Sequence, residues 1–364
     1  MKIWIVVAFV IASLVTGFSA HHMVTTAPVP VAIDAPLSAR AAFDPSEVDA
    51  VKLYLENHPE SRIHPQFFFY DFDSEQARGL FQSARDEGIE IFITTQPSST
   101  AIASIDAFQN PGMLMINTSS TTLRISGRDD YIIRIIPDLT AEQYAIAEQI
   151  LSSNNGGRLL ILQDAQNAAY TDPAYTQFQT LLNAQDRWRV EHHRFSFVDF
   201  NAEDYRQIIH DAHDALYVLA GDFQTAIGTL SQMFHRAHPT APIYLTPWSD
   251  SGAIISRLGP AAEQATIFKH APAWEQSAAA SELMKSFIDR FGYQPNLMVL
   301  KVYKALELVD QAIAAGHTSA SAVRAYLLEA QPHTTSLGDV PLDRMGDTQG
   351  EFTPVPANST RQQP

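Results

Sequence analysis

Short apolar runs alternate with amphipathic stretches along most of the chain. "VPVAIDAP" (29–36) is an apolar run closed by Pro36, as in a buried strand, and in "SEVDAVKLYLENH" (46–58) Val48, Val51, Tyr54 and Leu55 share a helical face behind a capping Ser46. The pair recurs as "HPQFFFYDF" (64–72) with "DSEQARGLFQSARDEG" (73–88), and "IEIFITT", "GMLMINT" and "YIIRIIP" read as further strands. Beyond residue 138 the alternation begins again: helix "TAEQYAIAEQILSSN", strand "GRLLILQD", helix "YTQFQTLLNAQ", strand "WRVEHHRFSF", helix "EDYRQIIHDAH", strand "ALYVLAG", helix "FQTAIGTLSQMFHRAH" and strand "APIYLTP". Strands that alternate with helices build a parallel sheet covered on both faces. Two such blocks predict an α/β chain of two doubly wound parallel-sheet lobes. Three long helices, at 277–293, 296–316 and 320–330, follow with few strand signals, and the polar, Pro-rich stretch 354–364 reads as a disordered tail.

A length of 364 residues suits two lobes better than one core. With 46% hydrophobic and 18% charged residues the composition is that of a globular protein. The net charge of -16 repels polyphosphate and no Lys/Arg cluster overrides it, which argues against nucleic acid as a partner. The absence of cysteine removes disulfides, thiol nucleophiles, cysteine metal sites and a lipid-modified cysteine. At the start, Lys2 precedes an apolar run from Ile3 to Phe18 and then small residues, the layout of a secretory signal. Residues 1–20 are expected to be a signal peptide or an uncleaved inner-membrane anchor, and 21–28 a linker. No other membrane insertion is expected, and the location is periplasmic or otherwise extracytoplasmic.

In open parallel sheets, ligands bind beyond the carboxyl ends of the strands. Ser98 and Ser99 stand there, after "GIEIFI" and before an amphipathic stretch. A hydroxyl in that place caps a helix N–H, and the same geometry can cradle a carboxylate. "NTSSTT" (117–122) is a second hydroxyl-rich strand end in the same half of the chain. "HDAHDA" puts His210, His213 and Asp214 at helical spacing, and "HRAH" does so for His235 and His238; both read as solvated polar faces, with no metal site expected. GxSxG, HExxH, a P-loop and a Gly-rich dinucleotide turn are all missing, so neither catalysis nor a cofactor is expected.

The run "SSTAIASIDAFQNPGMLMINTSSTTLRISGRDDYIIRIIPDLTAEQYAIAEQI" (98–150) resembles the core of the type I periplasmic binding proteins, the leucine/isoleucine/valine-binding class. A Ser-Ser strand end, an apolar strand ending in a Ser/Thr loop, a Gly-Asp-Tyr-hydrophobic-Arg stretch and a Gln in the following helix succeed one another there at the family's spacing. The likeness extends from about residue 29 to 352, through "LGDVPLDRMGDTQGEF" near its end. It implies two lobes joined by a three-strand hinge: lobe one at 29–137 plus 274–330, lobe two at 138–273 plus 331–353, with crossings near Pro137, at 270–273 and at 330–339.

The resemblance also implies a site. Ser98 matches the serine that holds a ligand carboxylate, Ser119 and Thr121 the positions whose backbone and hydroxyl complete that contact, and Ser99 is then left as a helix cap. Tyr170 in "AAYTD" matches an aromatic that closes over the ligand from lobe two, although Thr171 stands where the family carries Gly. Asp222 and Phe223 in "LAGDF" fall at another ligand-facing position. Trp248 in "TPWSDSG" occupies the place of the acidic residue that pairs with the ammonium in amino-acid binders. Either Asp250 or Asp222 takes that role, or the ligand carries no amine; an aromatic at 248 favours a flat or apolar ligand.

The function so implied is that of an exported, monomeric solute-binding protein that closes on a small carboxylate-bearing ligand, an amino acid or a relative of one, and delivers it to an ABC permease. Two other readings share the fold: a periplasmic sensory or regulatory subunit that reports to a membrane sensor partner, and a ligand-free scaffold of the cell-wall synthase activator type.

Overall fold

A computed structural model describes residues 27–36, 46–70, 74–153, 156–184, 187–196, 200–221, 225–270, 273–329 and 332–359. The expected signal segment and Asp222 with Phe223 lie outside the described residues. The first sheet has the order β2-β1-β3-β4-β5, from β1 (Val29–Pro36), β2 (Ile63–Tyr70), β3 (Ile91–Thr94), β4 (Leu114–Asn117) and β5 (Ile132–Arg134), all parallel. The second has the order β13-β10-β9-β8-β6-β7, from β6 (Gly157–Asp164), β7 (Trp188–Phe195), β8 (Ala215–Leu219), β9 (Ile243–Leu245), β10 (Ala265–His270) and β13 (Phe352–Pro356). Only β13 runs antiparallel to its neighbour in that sheet.

Each sheet is buried on both faces, which is why its strands read as continuous apolar runs. Ile91 and Ile93 enter one core while Phe92, between them, enters another; Leu114 and Ile116 divide from Met115 in the same way. In the second sheet Leu160 and Leu162 separate from Leu159 and Ile161 by the same period of two. The three C-terminal helices, Ala278–Phe291, Met298–Ala314 and Ala320–Glu329, return to the first lobe. Val299, Val302, Leu306, Val309 and Ile313 recur at helical spacing and are fully buried against its sheet. Each side chain so buried contributes roughly 1.5–3 kcal/mol.

The chain passes between lobes three times. It leaves β5 for the helix Leu139–Ser153, and it leaves β10 to bury Trp274 in the first core. The third passage falls later than the expected 330–339. β11 (His333–Thr335) and β12 (Gly338–Val340) form a hairpin whose Leu337 and Val340, with Leu342, pack into the first lobe's core, and only β13 joins the second sheet. Residues 331–353 therefore do not belong wholly to lobe two, because an apolar hairpin face outweighs the polar character of its loop. The stretch from Pro354 likewise begins inside β13, where Pro354 faces Phe268 and Val355 is buried. An edge position tolerates the prolines that made this segment read as a tail.

A short segment pins the crossings together. Arg134, at the end of β5, is buried and its guanidinium lies 3.0 Å from Asp347. Its N–H donates to Gly346 O at 2.8 Å, and Thr348 N donates to its carbonyl at 3.0 Å. Gly346 has φ 91°, and a Cβ there would stand 2.6 Å from the Ile133 side chain. Only glycine allows so close an approach.

Two helix expectations are corrected. The helix Arg206–His210 ends at His210, so His213 and Asp214 do not share a helical face with it. Asp214 instead accepts from Arg158 N at 2.8 Å, and His213 contacts Glu191 at 3.2 Å. The helix expected at 175–185 begins at Ala168 and runs through Pro173, whose missing N–H forgoes one intrahelical bond.

Candidate functional site

The lobe-one wall is built at the ends of β1, β3 and β4. Asp34, fully buried in β1, accepts from Thr94 Oγ1 at 2.6 Å, Thr95 N at 2.6 Å and Thr95 Oγ1 at 2.9 Å. Burial pushes its carboxyl up to about 6 against the pull of these donors. This brace fixes where the chain leaves β3. The "NTSSTT" loop is held from within by Asn117, whose amide donates to Ser120 O and accepts from Ser119 N and Ser120 N. Ser119 Oγ donates to Gln96 O at 2.6 Å. Ser119 thus spends both its N–H and its hydroxyl on the loop and acts as a brace rather than as a free donor.

Ser98 and Thr121 remain. Ser98 Oγ accepts from Ser120 Oγ at 3.1 Å, which leaves its own hydrogen uncommitted. Thr121 Oγ1 is buried without a partner among the described residues, and the amide of Gln96 is buried beside the Asp34 carboxyl. Buried polar groups are rarely left unpaired, and one so left marks where a polar guest belongs.

The lobe-two wall centres on Glu142, in the first turn of Leu139–Ser153. Tyr170 OH makes a short hydrogen bond to Glu142 Oε1, Gln143 Nε2 donates to the same oxygen at 2.8 Å, and Tyr217 OH donates to Gln143 Oε1 at 2.9 Å. Burial pushes the Glu142 carboxyl up to about 8, more than these donors lower it, so at neutral pH it is mostly the uncharged acid. Its Oε2 is buried and unpaired among the described residues. Tyr170 also packs edge-on to Trp248, with ring centroids 6.4 Å apart. Thr171 donates from Oγ1 to Asp164 O at 2.7 Å and so ties its helix to the end of β6.

The two walls meet. Ser98 begins the helix Ser98–Ala103, whose N-cap is Pro97 with no side-chain cap. The expected capping role of Ser99 is therefore not found: a hydroxyl is not what satisfies this helix end. Its backbone N–H instead donates to Oδ1 of Asn167 in lobe two at 3.3 Å, while Asn167 Nδ2 donates to Gly221 O at 2.8 Å. A Cβ on Gly221 would lie 2.9 Å from both Asn167 and Tyr170, so the missing side chain lets these residues close in. On the hinge side, Leu139 N donates to Thr121 O at 3.0 Å. Ser98, Thr121, Glu142, Tyr170 and Trp248 are all buried in this arrangement.

Asp250 does not take part. Its carboxylate lies 2.9 Å from Lys269 Nζ, which also bonds Glu275 and sits 5.1 Å over the Trp274 ring. An acid so engaged is not open to a ligand's ammonium. Sequence reasoning missed Asp34, Gln96, Glu142 and Asn167. An acid inside the apolar "VPVAIDAP" was a usable signal for Asp34; Glu142 reads from sequence only as a helix-dipole partner, because the tyrosines that bury it lie far along the chain.

Comparison with known proteins accords with this geometry. A family profile described as periplasmic binding protein matches residues 39–350. A leucine-binding protein from Thermotoga maritima superposes with a TM-score of 0.75 at 16% identity, covering 91% of this chain and 99% of that one. A solute-binding protein of an ABC transporter from Rhodopseudomonas palustris, solved with 3,4-dihydroxybenzoic acid, gives 0.77 at 17% identity, covering 90% and 92%. The isoleucine complex of a branched-chain amino-acid binding protein from Streptococcus pneumoniae gives 0.74 at 14%, covering 90% and 100%. No curated protein matches. Two parallel-sheet lobes, three crossings and a profile spanning most of the chain place it in the periplasmic binding protein family, with the type I fold of the leucine/isoleucine/valine-binding class.

Proposed function

We propose that this protein is an exported solute receptor that closes on a small carboxylate-bearing ligand without an ammonium group and delivers it to an ABC permease. The observation that carries the reading is the division of charge between the walls. Lobe one offers the Ser98 and Thr121 hydroxyls, suited to a carboxylate; lobe two offers Tyr170, Trp248 and a mostly neutral Glu142, while Asp250 is held by Lys269. Burying an ammonium without a charged partner costs several kcal/mol, about more than any hydrogen bond returns. An aromatic or aliphatic acid meets no such penalty, and Tyr170 and Trp248 suit a flat body. The benzoate-type ligand of the Rhodopseudomonas palustris neighbour supports the same class.

Thermal unfolding in the presence of benzoates, short aliphatic acids and amino acids tests the reading. An acid without an amine should raise the midpoint for the parent protein and not for Ser98→Ala. Stabilisation by an amino acid and by none of its deaminated analogues would overturn the ligand class. No stabilisation by any of the acids would remove the receptor reading.

A further inference from the structure

Another space lies against Trp248 and Lys269, lined from both lobes. It is a cavity of about 70 Å³ between the second crossing and the helix Met298–Ala314. Trp248, His270 and Phe352 line it from the crossing side, and Trp274, Lys301 and Lys304 from lobe one. Most of its wall is apolar, yet three lysines reach it. Lys269 is answered by Asp250 and Glu275. Lys304 feels the field of Glu307 and Asp339. Lys301, which is buried, differs: among the described residues no carboxylate lies within ion-pair distance, and its Nζ is 2.9 Å from His270 Nδ1.

That contact sets the imidazole. Burial, with Lys301 and Lys304 nearby, keeps His270 neutral. A neutral ring that accepts at Nδ1 carries its hydrogen at Nε2, and that Nε2 is buried with no partner among the described residues. The cavity wall therefore presents a lysine without a counter-charge, whose ammonium burial and Lys304 push down to about 7 and which an anion would hold in its charged form, and an N–H without an acceptor. Both deficits are of donors, and one guest, an anion, answers both.

We propose that this cavity is a binding site for a small monovalent anion, held by Lys301 and His270 and separate from the solute cleft. Its size sets the guest. One water needs roughly 10–15 Å³ on this measure and a benzene-sized guest roughly 150 Å³, so a halide or an acetate-sized carboxylate fits and a benzoate or a branched amino acid does not. Because its walls come from both sides of a crossing, an anion here favours the lobe arrangement described above over any that parts them.

The test titrates the purified protein with sodium chloride or sodium acetate at constant ionic strength, made up with sodium gluconate, whose anion is too large to enter. Tryptophan emission is the local reading, since Trp248 and Trp274 both line the cavity, and the thermal midpoint is the global one. A saturable change with either anion is expected, with Lys301→Met weakening half-saturation at least tenfold. Response to acetate alone assigns a carboxylate, and response to chloride alone a halide. An unsaturated drift, or equal responses from parent and variant, overturns the site. Should Lys301→Met not fold, crystals of the parent grown with bromide decide the matter: an anomalous peak beside Lys301 Nζ supports the site, and its absence overturns it.

Discussion

The backbone N–H of Ser99 in lobe one donates to Oδ1 of Asn167 in lobe two, 3.3 Å away, so one lobe caps a helix of the other. The helix Ser98–Ala103 has no side-chain cap of its own, and one N–H of its first turn is answered by a residue 68 positions along the chain. A local need is thereby turned into a latch between lobes.

Asn167→Ala removes both the cap and the anchor to Gly221. A net hydrogen bond contributes about 0.5–1.5 kcal/mol, so ligand affinity should fall by up to about tenfold through a lower population of the closed form. Small-angle scattering with ligand present should show a larger radius of gyration than the parent, and calorimetry should show the weaker binding. An unchanged affinity would mean that Asn167 is not a latch.

The two adjacent serines should separate. Ser98 has its hydroxyl in the site, whereas Ser99 contributes its backbone N–H to the latch. Ser98→Ala is expected to weaken ligand binding about 10-fold or more, as loss of a charge-assisted hydrogen bond of about 1.5–3 kcal/mol implies. Ser99→Ala should bind within about twofold of the parent, since its N–H survives. Isothermal titration of both variants checks the contrast.

The Lys269 substitution should cost more than the Asp250 one. Lys269→Met strands buried Asp250 and partly buried Glu275, whereas Asp250→Asn leaves Lys269 with Glu275. Breaking a buried pair costs about 3–5 kcal/mol, and the first variant should approach that range while the second falls below it. Urea unfolding orders the two, and equal losses would show that Asp250 alone holds the lysine.

Glu142 should write a pH dependence into stability. Burial pushes its folded carboxyl up to about 8 from the ordinary 4.5, so between these values the folded protein binds more protons than the unfolded chain. Stability therefore falls as pH rises through that window, and the penalty is complete above it. Glu142→Gln removes the titration, so its unfolding free energy should decline less as pH rises from about 5 to about 8, across most of that window. Parallel slopes for parent and variant would place the Glu142 titration elsewhere.

The alternation of "GMLMINT" and "YIIRIIP" with amphipathic stretches was legible because a sheet buried on both faces demands uninterrupted apolar strands. β10 and the β11–β12 hairpin were not, since Ala265–His270 ends in Lys269 and His270 and His333–Val340 is mostly polar. Those residues form strands because neighbours supply the pairing, which no local pattern records. In the site, Ser98 and Thr121 stood at strand ends and could be found there. Ser119 stood beside them and was indistinguishable by sequence, though its hydroxyl is spent on Gln96 O.

The order of residues determined the two lobes, their strand succession and the strand ends where polar side chains collect, because periodicity and chain direction follow from steric rules that act within a few residues. Tertiary structure alone decided which of those polar groups are free. Asp250 is withdrawn by Lys269, Glu142 is kept mostly uncharged beneath Tyr170, and Lys301 is buried without a carboxylate in reach. Desolvation and pairing energies depend on what stands within a few ångströms, and here those neighbours come from other elements of the fold, 28 positions along for Glu142 with Tyr170 and 31 for His270 with Lys301, beyond the reach of any local pattern.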